Sequence, residues 1–363
     1  MKHSFMKISY LLALIIPAFF LTSCDDDAEN DNAPVVINTT GVFVINEGSF
    51  GAGNGSTSYL NVTNNIMTND VFETVNGFPL GDVAQSMTLH KGKGYIVVNN
   101  SQKIEVVNAT NFASVQTIFG FQSPRYMVGV GTKGYVTDWI SNAVKVLDLN
   151  TNTITGSIPA GNGPEQLLVS GVKLFVVNGG GFGMDSTVTV INLGNDAVIA
   201  TLQVGVNPNS LVTDGAGKLW VLCAGSTGPD YIGGTADDIA GSLWKINPFD
   251  YHVDQQFTMG QSEHPIKLQI DNSGSYLYYL LGDDGYTGKV IRMATFPGQI
   301  NSTPYINKSF YGLGIDKTSG NIYGAYVPGF SQNGSIFRFT ATGATIDSMA
   351  VGVAPNGFVF QTN

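Results

Sequence analysis

Gly134-Tyr135-Val136-Thr137-Asp138 is the phrase that decides the fold, because the chain repeats it. Close variants are Gly94-Tyr95-Ile96-Val97-Val98-Asn99, Lys173-Leu174-Phe175-Val176-Val177-Asn178 and Lys218-Leu219-Trp220-Val221-Leu222. In each, a small turn leads into an apolar strand. A second strand ending in Asp or Asn follows, then a third running into Gly-x-x-Pro. Self-similarity at a fixed spacing is the signature of a repeat architecture. Alternation at period two within the strands fits sheets packed face to face.

The spacing then sets the number of units. Residues 41–363 number 363 − 40 = 323, and 323 divided by seven gives about 46, near the 40–50 residues of a propeller blade. The expected fold is therefore all-β, a seven-bladed β-propeller over residues 41–363. Blade three shows its four strands in order: Arg125 to Val130, Gly134 to Asp138, Ala143 to Leu149 and Thr153 to Ile158. The ends of the chain are out of phase with the repeat. Val42 to Asn46 is already a second-type strand with no inner strand before it, and Asn356-Gly357-Phe358-Val359-Phe360 is an inner strand with no blade of its own. The two deficits match, so the C-terminal strand is expected to complete the first blade. Closure removes the open sheet edge that invites aggregation.

Residues 1–23 read as a targeting segment. Lys2 and Lys7 precede the apolar stretch Leu11 to Leu21, which is too short and wrongly flanked to span a membrane. Residues 24–40 read as a solvated tether, since five acids fall in the seven positions Asp25 to Asp31 and repel one another. Without residues 1–23 the chain carries 17 − 2 = 15 basic against 27 acidic residues, a formal charge of −12. A nucleic-acid partner needs a basic face to replace counterions, and this composition offers none. Of two cysteines, Cys223 lies in an apolar strand and reads as an inert thiol. The four histidines are too scattered for metal-ligand spacing, and His264 beside Glu263 reads as a turn or surface residue.

Blade topology gathers two sets of loops at one end of the ring. Residues just after the turns that lead into the inner strands project toward the central channel, where Gln85, Arg125, Tyr126, Gln166, Asn209 and Lys267 form a polar ring. Loops joining second and third strands are long in blades one, four and five. They carry Phe50, Phe182 and Tyr231, with Tyr286 and Phe330 in blades six and seven and Trp139 in blade three. Aromatic-tipped loops on a rigid scaffold are where binding sites collect. The alternative is that each ring caps the core between two blades. Asp230, Asp237 and Asp238 fall in the Gly-rich segment 228–238, where flexible backbone and oxygen ligands suit Ca²⁺. A solvated acidic loop is the competing reading there. No catalytic residue is assigned.

Several of these segments resemble known families. Leu21-Thr22-Ser23-Cys24 resembles the lipobox of bacterial lipoproteins, which implies that Cys24 is acylated and becomes the mature N-terminus. The acids that follow resemble the surface-export signal of some Gram-negative lineages, implying an outer-membrane, outward-facing protein held by its lipid alone. The repeats resemble the Tyr-Val-Thr-Asn propellers of surface-layer-like proteins. A narrower resemblance rests on Asn46-Glu47-Gly48-Ser49-Phe50, on Asn76 to Met87, on Tyr95 to Ser101 and on Ser123-Pro124-Arg125-Tyr126. These look like the surface lipoprotein propellers that capture cobalamin for a TonB-dependent outer-membrane transporter.

The resemblance implies a binding protein for cobalamin or a related corrinoid, acting without chemistry on its ligand and needing no cofactor beyond the calcium considered above; nothing in the sequence points beyond a monomer. Two other readings stay open. One is a metal-dependent propeller lactonase or lyase using Glu165, Glu263 and His264. The other is a module binding glycans or proteins.

Overall fold

The computed structural model describes residue 37 and residues 40–229, 232–300 and 302–361. The expectations for residues 1–23, for Cys24 and for nearly all of the tether lie outside these. Ile37, within the stretch read as tether, already packs against apolar side chains of the first two blades.

The described strands form seven four-stranded antiparallel sheets, one per blade, as the repeat predicts. The first sheet is assembled from both ends of the chain. The strand Gly41–Asn46 pairs on one side with Ser56–Asn61 and on the other with the C-terminal strand Pro355–Gln361, from Gly41 opposite Gln361 to Asn46 opposite Pro355. The expected closure is therefore present. It also builds part of the core: Phe358 and Phe360 lie 5.6 and 5.2 Å from the ring of Tyr323 in blade seven.

Apolar clusters fill the spaces between neighbouring blades. Phe43 stacks on Phe112 at 4.9 Å between blades one and two, and Tyr95, Val97 and Ile104 meet Met127 and Val136 between two and three. Where the repeated phrase carries glycine, neighbouring strands of the same blade close in on it. A Cβ at Gly94 would lie 2.6 Å from Met87 Cε, and one at Gly134 would lie 2.8 Å from Met127 Cε. Burial pushes the Cys223 thiol up to about 12, which leaves it uncharged and inert. One short helix, Val71–Asn76, sits after blade one and inserts Val71 and Phe72 into the first cluster.

The polar residue that closes the repeated phrase has a definite task. It is fully buried as Asn46, Asp138 and Asn178, beside the turn that leads into an inner strand. Asn99 donates across to Pro124 O in the next blade at 2.9 Å. Asp138 accepts the backbone N–H groups of Gln122, Ser123 and Ser141 at 2.8, 3.1 and 3.3 Å. Buried N–H groups deprived of an acceptor are costly, so Asp138→Ala is expected to lose about 2–4 kcal/mol in urea unfolding with little change in slope. Asp138→Asn, which keeps one acceptor oxygen, should lose about half as much. Removing residues 356–363 should do far more. Without its closing strand the chain is expected to lose cooperative unfolding, or to melt at least about 10 °C lower in a calorimetric scan.

Candidate functional site

The inner strands start at the same end of the ring at which the second strands finish. Pro124 stands opposite Asp138, Pro164 opposite Asn178 and Pro208 opposite Cys223. Just after each of these prolines the register slips, because the inner strand carries extra residues that its neighbour does not match. Such bulges re-aim side chains. Here they turn Arg125, Glu165 and Asn209 toward the channel.

The result is a funnel of about 250 Å³ walled by Glu47, Gln85, Arg125, Tyr126, Glu165, Gln166, Asn209, Lys267, Tyr286 and Tyr311, among others. All six residues of the expected polar ring are in its wall. Arg125 grips Glu165 with two donors, Nε to Oε2 at 3.3 Å and Nη2 to Oε1 at 2.9 Å, and gives Nη1 to Gln85 Oε1 at 2.5 Å. Its guanidinium lies 4.0 Å from the centre of the Trp139 ring. Burial works to discharge the guanidinium, but Glu165, Tyr126 and Glu47 together hold it above its ordinary value. On the far side Tyr311 donates its hydroxyl to Glu47 Oε2 at 2.9 Å, and Asn356 donates to Glu47 Oε1 and, at 3.1 Å, to Gln85 O. A belt of hydrogen bonds thus runs Tyr311–Glu47–Asn356–Gln85–Arg125–Glu165 through blades seven, one, two, three and four. Burial, reinforced by the charge of Glu47, raises Tyr311 well above the ordinary phenol value, so it stays a neutral donor.

Two further cavities adjoin the funnel. One of about 390 Å³ lies between blades three and four, where the 91 % exposed ring of Phe182 meets Trp139 edge to face at 5.9 Å. The Trp139 indole N–H is enclosed and has no acceptor among the described residues. The other, of about 730 Å³, runs from Phe182 past Ser226 to Gly228 and Asp237 to Tyr286, which it shares with the funnel. Phe182, Tyr286 and the funnel therefore form one continuous open face. Phe50 and Phe330 stand on the rim of blades one and seven instead and line none of these three cavities. Ser49 ties their loops together by donating to Phe330 O at 2.8 Å, and Phe330 meets Tyr311 edge-on at 5.3 Å. Tyr231 and Asp230 lie outside the described residues.

The acidic loop is engaged with its own chain. Asp238 accepts from Gly234 N–H at 2.8 Å and from Thr235 Oγ1 at 3.2 Å, and lies 3.3 Å from His264 Nε2; Asp237 accepts from Thr235 Oγ1 at 2.6 Å. Among the described residues no group of three or more His, Cys, Asp and Glu stands close enough to hold a metal.

His264 departs from the expectation of a turn or surface residue. It is 1 % exposed in the wall of the large cavity, with Nδ1 2.9 Å from Ala224 O, so that both ring nitrogens face oxygen acceptors. The loop after Cys223 folds over it, a contact between residues 26 positions apart that local sequence does not announce.

Reasoning from sequence also missed Tyr311. Blade seven begins at Gly312 without the proline that marks five of the inner strands, and the phrase Tyr311-Gly312-Leu313-Gly314 is the only signal. Glu47 was within reach, since it follows Asn46 at the position of the repeated phrase's polar end.

Burial tends to raise the Asp238 carboxyl, but the Gly234 N–H, His264 and Thr235 outweigh it and hold it below the ordinary value. A depressed carboxylate contributes stability that is complete above its unfolded value, near 4, and lost as pH falls through the folded one. The gap in melting temperature between the parent chain and Asp238→Asn should accordingly shrink as pH falls below about 4.

A family model described as a domain of unknown function (DUF5074) matches residues 40–361. No curated protein matches. Among solved structures, the chain is similar to a quinonprotein alcohol dehydrogenase-like protein from Bacteroides thetaiotaomicron. The two share 13 % identity, with 90 % of this chain and 79 % of that one covered and a TM-score of 0.68. It is also similar to the periplasmic gluconolactonase of Pseudomonas aeruginosa at 12 % identity, 88 % and 99 % coverage and a TM-score of 0.64. A Lactobacillus plantarum protein matches at 12 % identity, 89 % and 99 % coverage and a TM-score of 0.63. At such identities the likeness is one of fold, and fold alone does not choose a function.

Proposed function

The chain belongs to the DUF5074 family, and on that premise we propose that it is a binding propeller that captures a corrinoid at the cell surface. In this reading Cys24 carries the lipid anchor in the outer membrane, and a TonB-dependent importer receives the ligand.

One observation carries the binding reading. The open face joins exposed aromatic rings to a funnel whose charged side chains are largely held by one another. Phe182 and Tyr286 are 91 % and 64 % exposed beside cavities of about 390 and 730 Å³, the second well inside the range of small-molecule sites. Exposed rings offer contact area with little loss of freedom. A corrin is broad, fairly flat and edged with amides, so it would cover such rings and reach the amides of Gln166 and Asn209 below. Glu165, the carboxylate best placed for chemistry, is gripped by both arms of Arg125.

A hydrolytic reading draws on a different observation, the His264–Asp238 pair in the wall of the larger cavity, and on the gluconolactonase fold neighbour. His264 is enclosed, however, with each nitrogen already facing an oxygen of the protein.

Calorimetric titration of the purified chain with cyanocobalamin separates the two. Saturable one-to-one binding is expected, and Phe182→Ala and Tyr286→Ala should each weaken it by about tenfold. No heat and no thermal stabilisation at millimolar ligand would overturn the corrinoid reading. Lactone turnover abolished by His264→Gln would replace it with the hydrolytic one. Calcium forms a separate arm of the same experiment. A calcium-dependent rise in melting temperature that is absent from Asp237→Asn would assign the ion to the 228–238 loop, and equal curves with calcium and with chelator would withdraw it.

A further inference from the structure

Hydrogen-bond donors and acceptors in the funnel are not in balance. Its side-chain acceptors are already served by the protein. Both oxygens of Glu165 take Arg125, and Gln85 Oε1 takes Arg125 as well. The oxygens of Glu47 take Asn356 and Tyr311. Gln166 Oε1 takes the backbone N–H of Leu211 at 3.4 Å, and Asn209 Oδ1 takes the Ser210 hydroxyl at 2.6 Å.

The donors are another matter. Lys267 makes no ion pair and no hydrogen bond among the described residues, and its ammonium has only the ring of Tyr311, 5.7 Å away. Gln166 Nε2 is likewise without an acceptor. The Tyr126 hydroxyl accepts from Gln85 at 3.5 Å and donates to nothing described. An ammonium group whose neighbouring carboxylates are taken by other partners is an invitation to an anion.

The backbone points the same way. Lys267 sits where the inner strand of blade six slips register between Ile266 and Gln269, and its φ is 59°. A left-handed backbone at a lysine is strained relative to ordinary backbone, and such strain collects at ligand clamps. The bulge and the strained backbone together bring the side chain into the funnel wall rather than leaving it along the strand.

We propose that the funnel is an oxyanion site that takes a carboxylate or phosphate group borne by the ligand, with Lys267 supplying the charge and Gln166 and Tyr126 the neutral donors. The two acidic and two basic side chains of the wall cancel, so the surplus of donors decides the preference. The acidic chain as a whole repels anions at long range, a field screened within about 8 Å at physiological salt. Recognition is therefore a short-range event at Lys267. The proposal deepens the binding reading by naming the group that the funnel takes, and it does not depend on the corrin.

The test uses phenyl phosphate, benzoate and neutral benzyl alcohol as probes on the purified chain, with lysine labelled at ¹³Cε for NMR and the Lys267 signal assigned through Lys267→Arg. Saturable movement of that signal with either anion, and none with benzyl alcohol, is expected. Lys267→Gln should weaken the anion at least about tenfold, while Lys267→Arg stays within about threefold. The tighter of the two anions identifies the group as phosphate or carboxylate. A Lys267 signal in the parent chain that moves with neither anion overturns the site, and so does anion binding undiminished in a folded Lys267→Gln. The two readings fail separately. A silent cyanocobalamin titration beside a responsive Lys267 leaves the anion site standing for another ligand. Cyanocobalamin heat beside an unresponsive Lys267 removes the anion site and leaves corrinoid capture.

Discussion

The pairing of Gly41–Asn46 with Pro355–Gln361 is the constraint on which the rest of the molecule depends. An open ring of sheets is a weakened one. Each blade buries one face against the blade before it and the other against the blade after it, so an open ring leaves two apolar faces in water. Closure by a strand from the far end of the chain links the first and last blades through backbone hydrogen bonds and places Phe358 and Phe360 on Tyr323. It also has a local consequence at the channel. Asn356, in the closing strand, is the residue that joins Glu47 to Gln85. The same strand that closes the ring therefore completes the belt around the funnel.

That belt explains why the funnel is polar yet rigid. Isolated buried charges are costly, and partners that satisfy both oxygens of a carboxylate offset the desolvation. Arg125 does so for Glu165, while Tyr311 and Asn356 do so for Glu47 without adding charge. These side chains come from blades one, three, four and seven, so their geometry is fixed by blade packing rather than by any single loop. The aromatic groups above them have the opposite character. Phe182 and Tyr286 stand on Gly-containing loops and are 91 % and 64 % exposed, free to meet a bulky partner. Rigid polar floor and adaptable aromatic rim are the two halves of one face.

The fold was legible because it is written redundantly. The apolar strand of Gly134-Tyr135-Val136-Thr137-Asp138 answers to packing between blades and its polar end to the turn before the inner strand, and both demands recur from blade to blade, so local sequence repeats with them. The polar ring was legible for the same reason, since its members follow Gly- and Pro-marked turns. What escaped was what happens once. Tyr311 stands directly before an inner strand whose own turn carries no proline. His264 looks like a turn residue until the loop from Ala224 to Gly241 is laid over it, and nothing within a few residues of position 264 encodes that loop's path. Lys267 could be placed at the channel from its position in the repeat, but its left-handed backbone and its lack of an acceptor are properties of the assembled wall.

The division between repeated and singular features also bears on how a ligand could be chosen. Features demanded by the repeat are shared by any propeller with these blades and carry no selectivity of their own. Selectivity has to come from residues that the repeat does not require: the loops of blades four to six with Phe182 and Tyr286, and a lysine held in strained backbone where the repeat would accept any side chain. These singular residues share one face, and their chemistry is complementary in type, apolar and aromatic at the rim, donor-rich at the floor. A molecule that fills the face must be broad enough to cover the rings and must carry acceptors that reach below them. A small anion would satisfy the floor and leave the rim in water. A purely apolar one would cover the rim and leave the ammonium of Lys267 desolvated, which costs more than the rings return.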